Sequence, residues 1–465
     1  MVFLQRLFIS FIILLSVCPS LEVWAGDKFV AGNITITGNK VTRESIILRE
    51  LAFQTGDTLN KSQFDELILN SRSNLLKLPL FHFVTIDSLS SGNPGIIDFR
   101  IDVTERWYIW VWPVFELSDR NFNTWLENGD LTRLSYGLFF QQENFRGRLE
   151  KLNFKIKLGY QQEVTLLYEK PYLNRQKTIG AGTLISLSRQ RETGYITEKD
   201  KLEYIRADNF MLHTTDLSVF VRWRPDIHLS HTLQLRYNKL SISDSLMKLN
   251  PNFTQDQKQH PDFFELSYLL RADFRDQRSY PLKGWYAEVL MAKTGLSTAD
   301  DYNYYSAKLI LRGYHEFSKD WHLAGSFTGR LVSDVALPYY LSQALGYKRD
   351  YVRGYEYYVV DGRNFWLAKL NLKYTLIKPA IKKLKWPPTD KFNTIPYALY
   401  FSAFADAGEV WPEVKSVSNS LSGKFLKGIG VGLDFVTYYD KVFRAEFSAN
   451  GRGETGFFLH FMAAI

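Results

Sequence analysis

Trp366-Leu367-Ala368-Lys369-Leu370-Asn371-Leu372-Lys373-Tyr374-Thr375-Leu376 decides the fold. Trp366, Ala368, Leu370, Leu372, Tyr374 and Leu376 are apolar, and they alternate with the polar Lys369, Asn371, Lys373 and Thr375. Only an extended strand, whose successive side chains point to opposite faces, sorts residues in this way. The period recurs in Lys151–Leu158, where Lys151, Asn153, Lys155 and Lys157 oppose Leu152, Phe154, Ile156 and Leu158. It recurs again in Phe264–Phe274, with Phe264, Leu266, Tyr268, Leu270, Ala272 and Phe274 on one face and Glu265, Ser267, Arg271 and Asp273 on the other. A soluble β-sandwich alternates too. What favours a bilayer is segment length, roughly 9–11 residues, with aromatic residues at the ends. Trp107, Tyr108, Trp110 and Trp112 open the first such segment, and Tyr438-Tyr439 closes a late one.

Working outward, about sixteen segments share this period, an even number as a single-chain antiparallel barrel requires. They fall near 107–117, 132–142, 149–160, 163–171, 177–190, 212–224, 231–242, 263–275, 284–294, 303–317, 321–333, 364–377, 396–411, 424–437, 441–449 and 456–464. With the chain before residue 107 in the periplasm, the first strand runs outward. The short links 145–148 and 279–283 then fall on the periplasmic side, and the long stretches 243–261 and 337–363 fall outside.

Composition agrees. A mean hydropathy of −0.21 suits a barrel, in which only every second strand residue meets lipid. The formal net charge of +8 comes from basic residues spread over alternate strand positions, which points to a basic lumen and away from nucleic acid. Residues 1–25 read as a signal peptide: Arg6 ahead of the apolar Leu7–Val17, then Val23-Trp24-Ala25 as the cleavage site. Leu15-Ser16-Val17-Cys18 is a poor lipoprotein box, because Val17 is branched and Pro19 follows the cysteine. Cys18 is the one cysteine, so no disulfide or thiolate metal site is expected after cleavage. The 8 histidines show no metal-ligand spacing, and nucleophile-elbow, Walker and dinucleotide motifs are missing. No enzyme, cofactor or metal is expected. Gly428-Ile429-Gly430-Val431-Gly432 sits in an alternating pattern, where the glycines read as small residues on one face.

Residues 28–106 differ. Val30–Thr37 reads as a strand, and Thr42 as the cap of a helix through Leu51 with Ile46, Ile47 and Leu51 toward a core. Gly56-Asp57 breaks the chain. Ser62–Leu76 carries a second helical pattern through Phe64, Leu67, Ile68 and Leu75, and strands follow at Phe81–Asp87 and Ile96–Thr104. The expected order is β-α-α-β-β in one small α+β domain.

That order resembles a POTRA domain, through Ile34-Thr35-Ile36-Thr37-Gly38-Asn39, Arg49-Glu50-Leu51, Gly56-Asp57, Leu80-Phe81 and Val103-Thr104-Glu105-Arg106. Four barrel segments extend the likeness. Asp276, Arg278, Pro281 and Gly284 form D-x-R-x-x-P-x-x-G in a periplasmic turn; Val352-Arg353-Gly354-Tyr355 lies in the long loop before the twelfth strand. Phe404-Ala405-Asp406-Ala407-Gly408 and Gly430-Val431-Gly432-Leu433-Asp434-Phe435 lie on the next two strands. In this order, behind one POTRA-like domain, the set resembles the BamA/TamA superfamily of outer-membrane assembly and secretion factors across nearly the whole mature chain. The resemblance implies that the loop folds into the lumen and that Arg353 contacts Asp406. Alternation agrees, since Tyr400, Ser402, Phe404 and Asp406 oppose Tyr397, Leu399, Phe401 and Ala403. Family members often place a Glu where Asn371 stands, so Arg353 is expected to depend more on Asp406.

Thr455-Gly456-Phe457-Phe458-Leu459-His460-Phe461 fits the polar-G-x-x-Φ-x-Φ ending of barrels delivered to the assembly machinery, with Gly456, Phe457, Leu459 and Phe461 at the pattern positions; Met462–Ile465 follow it. Few pairing bonds are expected near Gly451, Gly453 and Gly456. The implied function is non-enzymatic insertion or translocation of unfolded outer-membrane or secreted polypeptides. The implied partners are those polypeptides, outer-membrane lipid and accessory periplasmic proteins. The alternatives are a passive pore with a basic lumen, motivated by Lys151, Lys155 and Lys157, and a structural surface protein.

Overall fold

In the computed structural model the described residues are 28–117, 134–383, 394–411, 419–437 and 441–461. The signal segment with Cys18, Tyr438-Tyr439 and Met462–Ile465 lie outside them, as does the side chain of Phe461. The N-terminal domain comprises β1 (Lys28–Thr37), α1 (Glu44–Arg49), β2 (Thr58–Asn60), α2 (Phe64–Leu76), β3 (Phe81–Ser90) and β4 (Ile96–Glu105). Its sheet runs β2-β1-β4-β3, parallel only between β1 and β4. Ile46, Ile47 and Leu51 bury against Leu75, Leu80, Phe81, Ile101 and Val103, because the helices present one apolar stripe each to one apolar sheet face.

Two local expectations fail. The order is β-α-β-α-β-β, since Thr58–Asn60 adds a short antiparallel edge to β1 where a chain break was expected. Thr42 does not cap the first helix. Arg43 occupies that position, and the Thr42 hydroxyl instead meets the Tyr108 hydroxyl at 3.1 Å and accepts from Asn144 at 2.9 Å. Tertiary partners outcompete the local cap.

All sixteen expected strands are present: β5 (Ile109–Leu117), β6 (Leu134–Phe145), β7 (Glu150–Gly159), β8 (Gln161–Lys170), β9 (Ile179–Gln190), β12 (Leu212–Trp223), β13 (Leu229–Ile242), β14 (Asp262–Asp273), β15 (Gly284–Thr294), β16 (Tyr304–Ser318), β17 (Trp321–Val332), β20 (Asn364–Lys383), β21 (Thr394–Trp411), β22 (Leu426–Thr437), β23 (Lys441–Asn450) and β24 (Thr455–Phe461). They form one 16-stranded sheet in sequence order, each antiparallel to the last. The hairpin β10 (Glu192–Glu198) and β11 (Lys201–Arg206), absent from the sequence reading, stands on the outer rim between β9 and β12. Two short strands inside the long loop, β18 (Gln343–Leu345) and β19 (Val360–Asp361), pair with each other.

The sheet curls into a barrel. Tyr280, between β14 and β15, donates to Asp434 on β22, and Asp200, between β10 and β11, accepts from Ser420 ahead of β22. Contacts between strands so far apart in the sheet require curvature. Along β20, Lys369, Asn371 and Lys373 are buried inside, while Leu370, Leu372 and Leu376 are exposed outside, as bilayer contact demands. The N-terminal domain meets the barrel at the end where the 171–178, 224–228 and 274–283 turns lie, the end expected to face the periplasm.

β24 pairs with β23 from Thr455 to Phe461, with Gly456 opposite Ser448. The expected loss of pairing at Gly456 is therefore not seen; Gly451 and Gly453 lie in the turn between the two strands. Among the described residues no ladder joins β24 to β5.

Candidate functional site

The loop between β17 and β20 enters the barrel rather than standing above it. Leu345, Val352, Tyr355 and Val360 bury with Phe365, Leu367, Val410, Leu421 and Leu426 in one apolar cluster, which seats the loop. Its tip turns at Gly354, whose φ of +91° is costly for any residue with a Cβ. The tip lies so close to β22 that a Cβ at Gly428 would sit 1.9 Å from the Arg353 carbonyl oxygen. Gly408 on β21 lies under Val352. The glycines on the inward face of these strands leave room for the loop.

Arg353 is held on several sides. Its Nε and Nη2 donate to the two Asp406 carboxylate oxygens at 2.8 and 2.5 Å, and its backbone N–H donates to the same group at 3.1 Å. Nη1 donates to Asn371 at 2.7 Å and to Glu446 at 3.3 Å. The guanidinium carbon lies 3.7 Å from the centre of the Phe404 ring. Strand alternation puts each partner inside: Asn371 on β20, Phe404 and Asp406 on β21, Glu446 on β23. Glu446 is the residue that sequence reasoning missed. The second carboxylate comes from β23, and Asn371 on β20 accepts a bond without bringing charge.

Glu446 continues the network. Its Oε1 lies 3.5 Å from Arg444 Nη1, and Arg444 pairs with Asp434 through 2.6 and 2.8 Å bonds. Tyr280 donates to the same Asp434 at 2.6 Å, and Lys373 lies 4.1 Å from the Tyr280 ring centre. A buried chain of charges thus runs from the outer loop through β21, β23 and β22 to a periplasmic turn. Such a network specifies geometry more surely than it adds net stability, because desolvation offsets much of the attraction.

That turn carries the D-x-R-x-x-P-x-x-G motif. Asp276 accepts from the backbone of Gln277 and Leu282, fixing the bend that aims Tyr280 inward. Pro281 is buried, Gly284 begins β15, and Arg278 is exposed, 3.7 Å from Asp273. The motif therefore meets the Arg353 group through Tyr280, not through its own charged residues.

The N-terminal domain binds the barrel through periplasmic turns. Glu50, with 1 % of its side chain exposed, takes a two-pronged pair from Arg224 at 2.7 and 2.8 Å. Arg49 donates to the carbonyls of Lys177 and Arg224, and Ser73 donates to the Asp276 carbonyl at 3.1 Å. Tyr172 also reaches Glu50; burial, then the Glu50 charge, pushes its hydroxyl up to about 12. At the chain end, Phe457 and Leu459 are exposed on the outer face of β24, away from the Arg353 group, while His460 faces inward.

Comparison with known proteins bears on this arrangement. The Omp85 superfamily domain matches residues 144–438, and the POTRA family, described as a surface antigen variable number repeat, matches residues 29–106. The solved structure of BamA from Haemophilus ducreyi lacking POTRA domains 1–3 is similar at a TM-score of 0.50 and 17% identity, covering 93% of this chain and 84% of that one. CdiB from Escherichia coli is similar at a TM-score of 0.55 and 11% identity, covering 93% and 75%.

Proposed function

The chain belongs to the Omp85 superfamily, and on that premise we propose that it handles polypeptides: its POTRA domain receives an unfolded chain and its barrel assists insertion into, or passage across, the outer membrane without covalent chemistry. The observation that carries this reading is the seated loop. A lumen filled by a loop held through Arg353, Asp406 and Glu446 suits a barrel whose opening is controlled, and poorly suits a constitutive pore. Edge strands supply the working surfaces. β3 and β2 end the POTRA sheet, and β5 and β24 end the barrel sheet among the described residues. Unpaired edge groups template an incoming strand whose own backbone is costly to leave unpaired in lipid.

The lumenal lysines speak against the passive-pore alternative. Lys151 pairs with Glu143 at 3.3 Å, and Lys155 and Lys157 share Glu163 at 3.1 and 3.5 Å, so two carboxylates offset two of the row's three charges. Depletion in the native cell, with outer-membrane and secreted polypeptides quantified, tests the proposal. Loss of one or the other is expected, and unchanged levels of both would remove it. In planar bilayers the intact protein should conduct little, and deletion of the loop around Arg353 should open a large current.

A further inference from the structure

Beside the Arg353–Asp406 contact, three side chains from separate elements each turn one atom toward the same point. Glu356 lies just behind the loop tip, Glu446 on β23 and His460 on β24, and one ligand atom of each falls within 4.8 Å of the others. The second carboxylate oxygens are already engaged: Glu356 Oε2 accepts the Gly354 N–H at 2.8 Å, and Glu446 Oε1 faces Arg353 and Arg444 at 3.3 and 3.5 Å. What remains is Glu356 Oε1, Glu446 Oε2 and His460 Nε2, all buried: Glu446 Oε2 and His460 Nε2 face each other at 3.2 Å, and Glu356 Oε1 has no hydrogen-bond partner. Glu446 is 1 % exposed, so apart from His460 neither bulk water nor another donor reaches that oxygen.

The separation of these atoms is informative. Glu446 Oε2 and His460 Nε2 stand 3.2 Å apart, close to the about 3.3 Å between two ligands of a tetrahedral ion bound at about 2.0–2.1 Å. Calcium and magnesium seek six or more oxygens, whereas one imidazole with two carboxylates suits a softer ion of lower coordination number. The nearby arginines do not preclude a cation, since they contact Glu446 through Oε1 and each has its own acid, Asp406 or Asp434.

We propose that Glu356, Glu446 and His460 form a binding site for a divalent transition cation of the zinc class, with water completing its coordination. The bound ion would tie the loop to the last two strands of the sheet. Binding itself does not depend on the polypeptide-handling reading, so the two stand or fall separately.

The test uses the full chain folded in detergent and stripped with a chelator. Zn2+ is titrated by calorimetry, and Co2+ is followed by its visible absorption. One saturable site in the micromolar range or tighter is expected, with tetrahedral cobalt bands and no competition from Mg2+ or Ca2+. Groups that merely orient a ligand are worth about 10–100-fold in affinity, so His460→Gln and Glu356→Gln should each weaken binding by more than about tenfold. Neither side chain holds Arg353, and heat-modifiable migration on gels establishes that each variant is folded. Absence of saturable binding would overturn the proposal. So would unchanged affinity in both variants, which would assign the ion to another histidine.

Discussion

Removal of the Asp406 carboxylate separates the network from simple packing as the cause of loop seating. In Asp406→Ala, Arg353 loses two side-chain bonds and one backbone bond, yet its guanidinium, 3 % exposed, keeps Asn371 and Glu446. Breaking a buried pair by removing one partner costs about 3–5 kcal/mol, and the remaining Glu446 charge places this case near about 3 kcal/mol. In Asn371→Ala one bond from a charged donor is lost, about 1.5 kcal/mol. The difference of about 1.5 kcal/mol corresponds to roughly tenfold in the population of released loop. Trypsin reads that population directly, because Arg353 is buried and the Arg353–Gly354 bond is cut only after release. Lys348 and Arg349 are exposed in the seated loop, so cleavage there serves as the internal control. Quantified by mass spectrometry, cleavage after Arg353 should rise most in Asp406→Ala and roughly tenfold less in Asn371→Ala. Equal rates in the two variants would refute the assignment of Asp406 as the principal partner.

Three other perturbations probe neighbouring parts. Gly428→Ala leaves every charge in place but puts a Cβ 1.9 Å from the Arg353 carbonyl; the tip should lift, and cleavage after Arg353 should rise while the barrel stays folded on gels. Arg224→Ala leaves Glu50 Oε1 with Arg49 and Tyr172 but takes the donor from the buried Oε2, costing about 3 kcal/mol of domain docking. Spin labels on α1 and on the 171–178 turn should then show a broadened distance distribution, with Glu50→Gln, which keeps a neutral partner for Arg224, broadening it less. Tyr280→Phe removes one hydrogen bond to Asp434, a loss of about 1.5–3 kcal/mol for a charged acceptor. Faster amide exchange in residues 276–283 is expected, without a change at β23.

The barrel was legible because lipid imposes a strict rule. A strand crossing the bilayer has to alternate, and so each of β5 to β24 that crosses it announces itself in Trp366–Leu376 and its counterparts. Away from lipid the rule lapses. The β10–β11 hairpin above the membrane mixes polar and apolar residues freely, and β2 is too short at Thr58–Asn60 to show any period. Glu446 was readable in principle: alternate residues from Val442 give Arg444, Glu446, Ser448 and Asn450 inside, against Phe443, Ala445, Phe447 and Ala449 outside. The inward aim of Tyr280 was not, because it depends on a turn held by Asp276, and turns carry no period. The Glu356–Glu446–His460 grouping was equally hidden, since its members come from a loop and two strands that only the barrel's curvature brings together.

The spacing of the Arg353 partners along the chain has a consequence for how the protein is made. Asp406 follows Arg353 by 53 residues and Glu446 follows it by 93, so the loop is synthesised well before the groups that hold it. Contacts of such long separation form late, after the loop-closure entropy of the intervening strands has been met. A barrel that still lacks β21 therefore lacks the principal partner of Arg353, and only one that has also gained β23 holds every contact. Seating of Arg353 thus acts as a completion mark: a truncated or stalled chain shows proteases an open tip, and a fully assembled chain hides it.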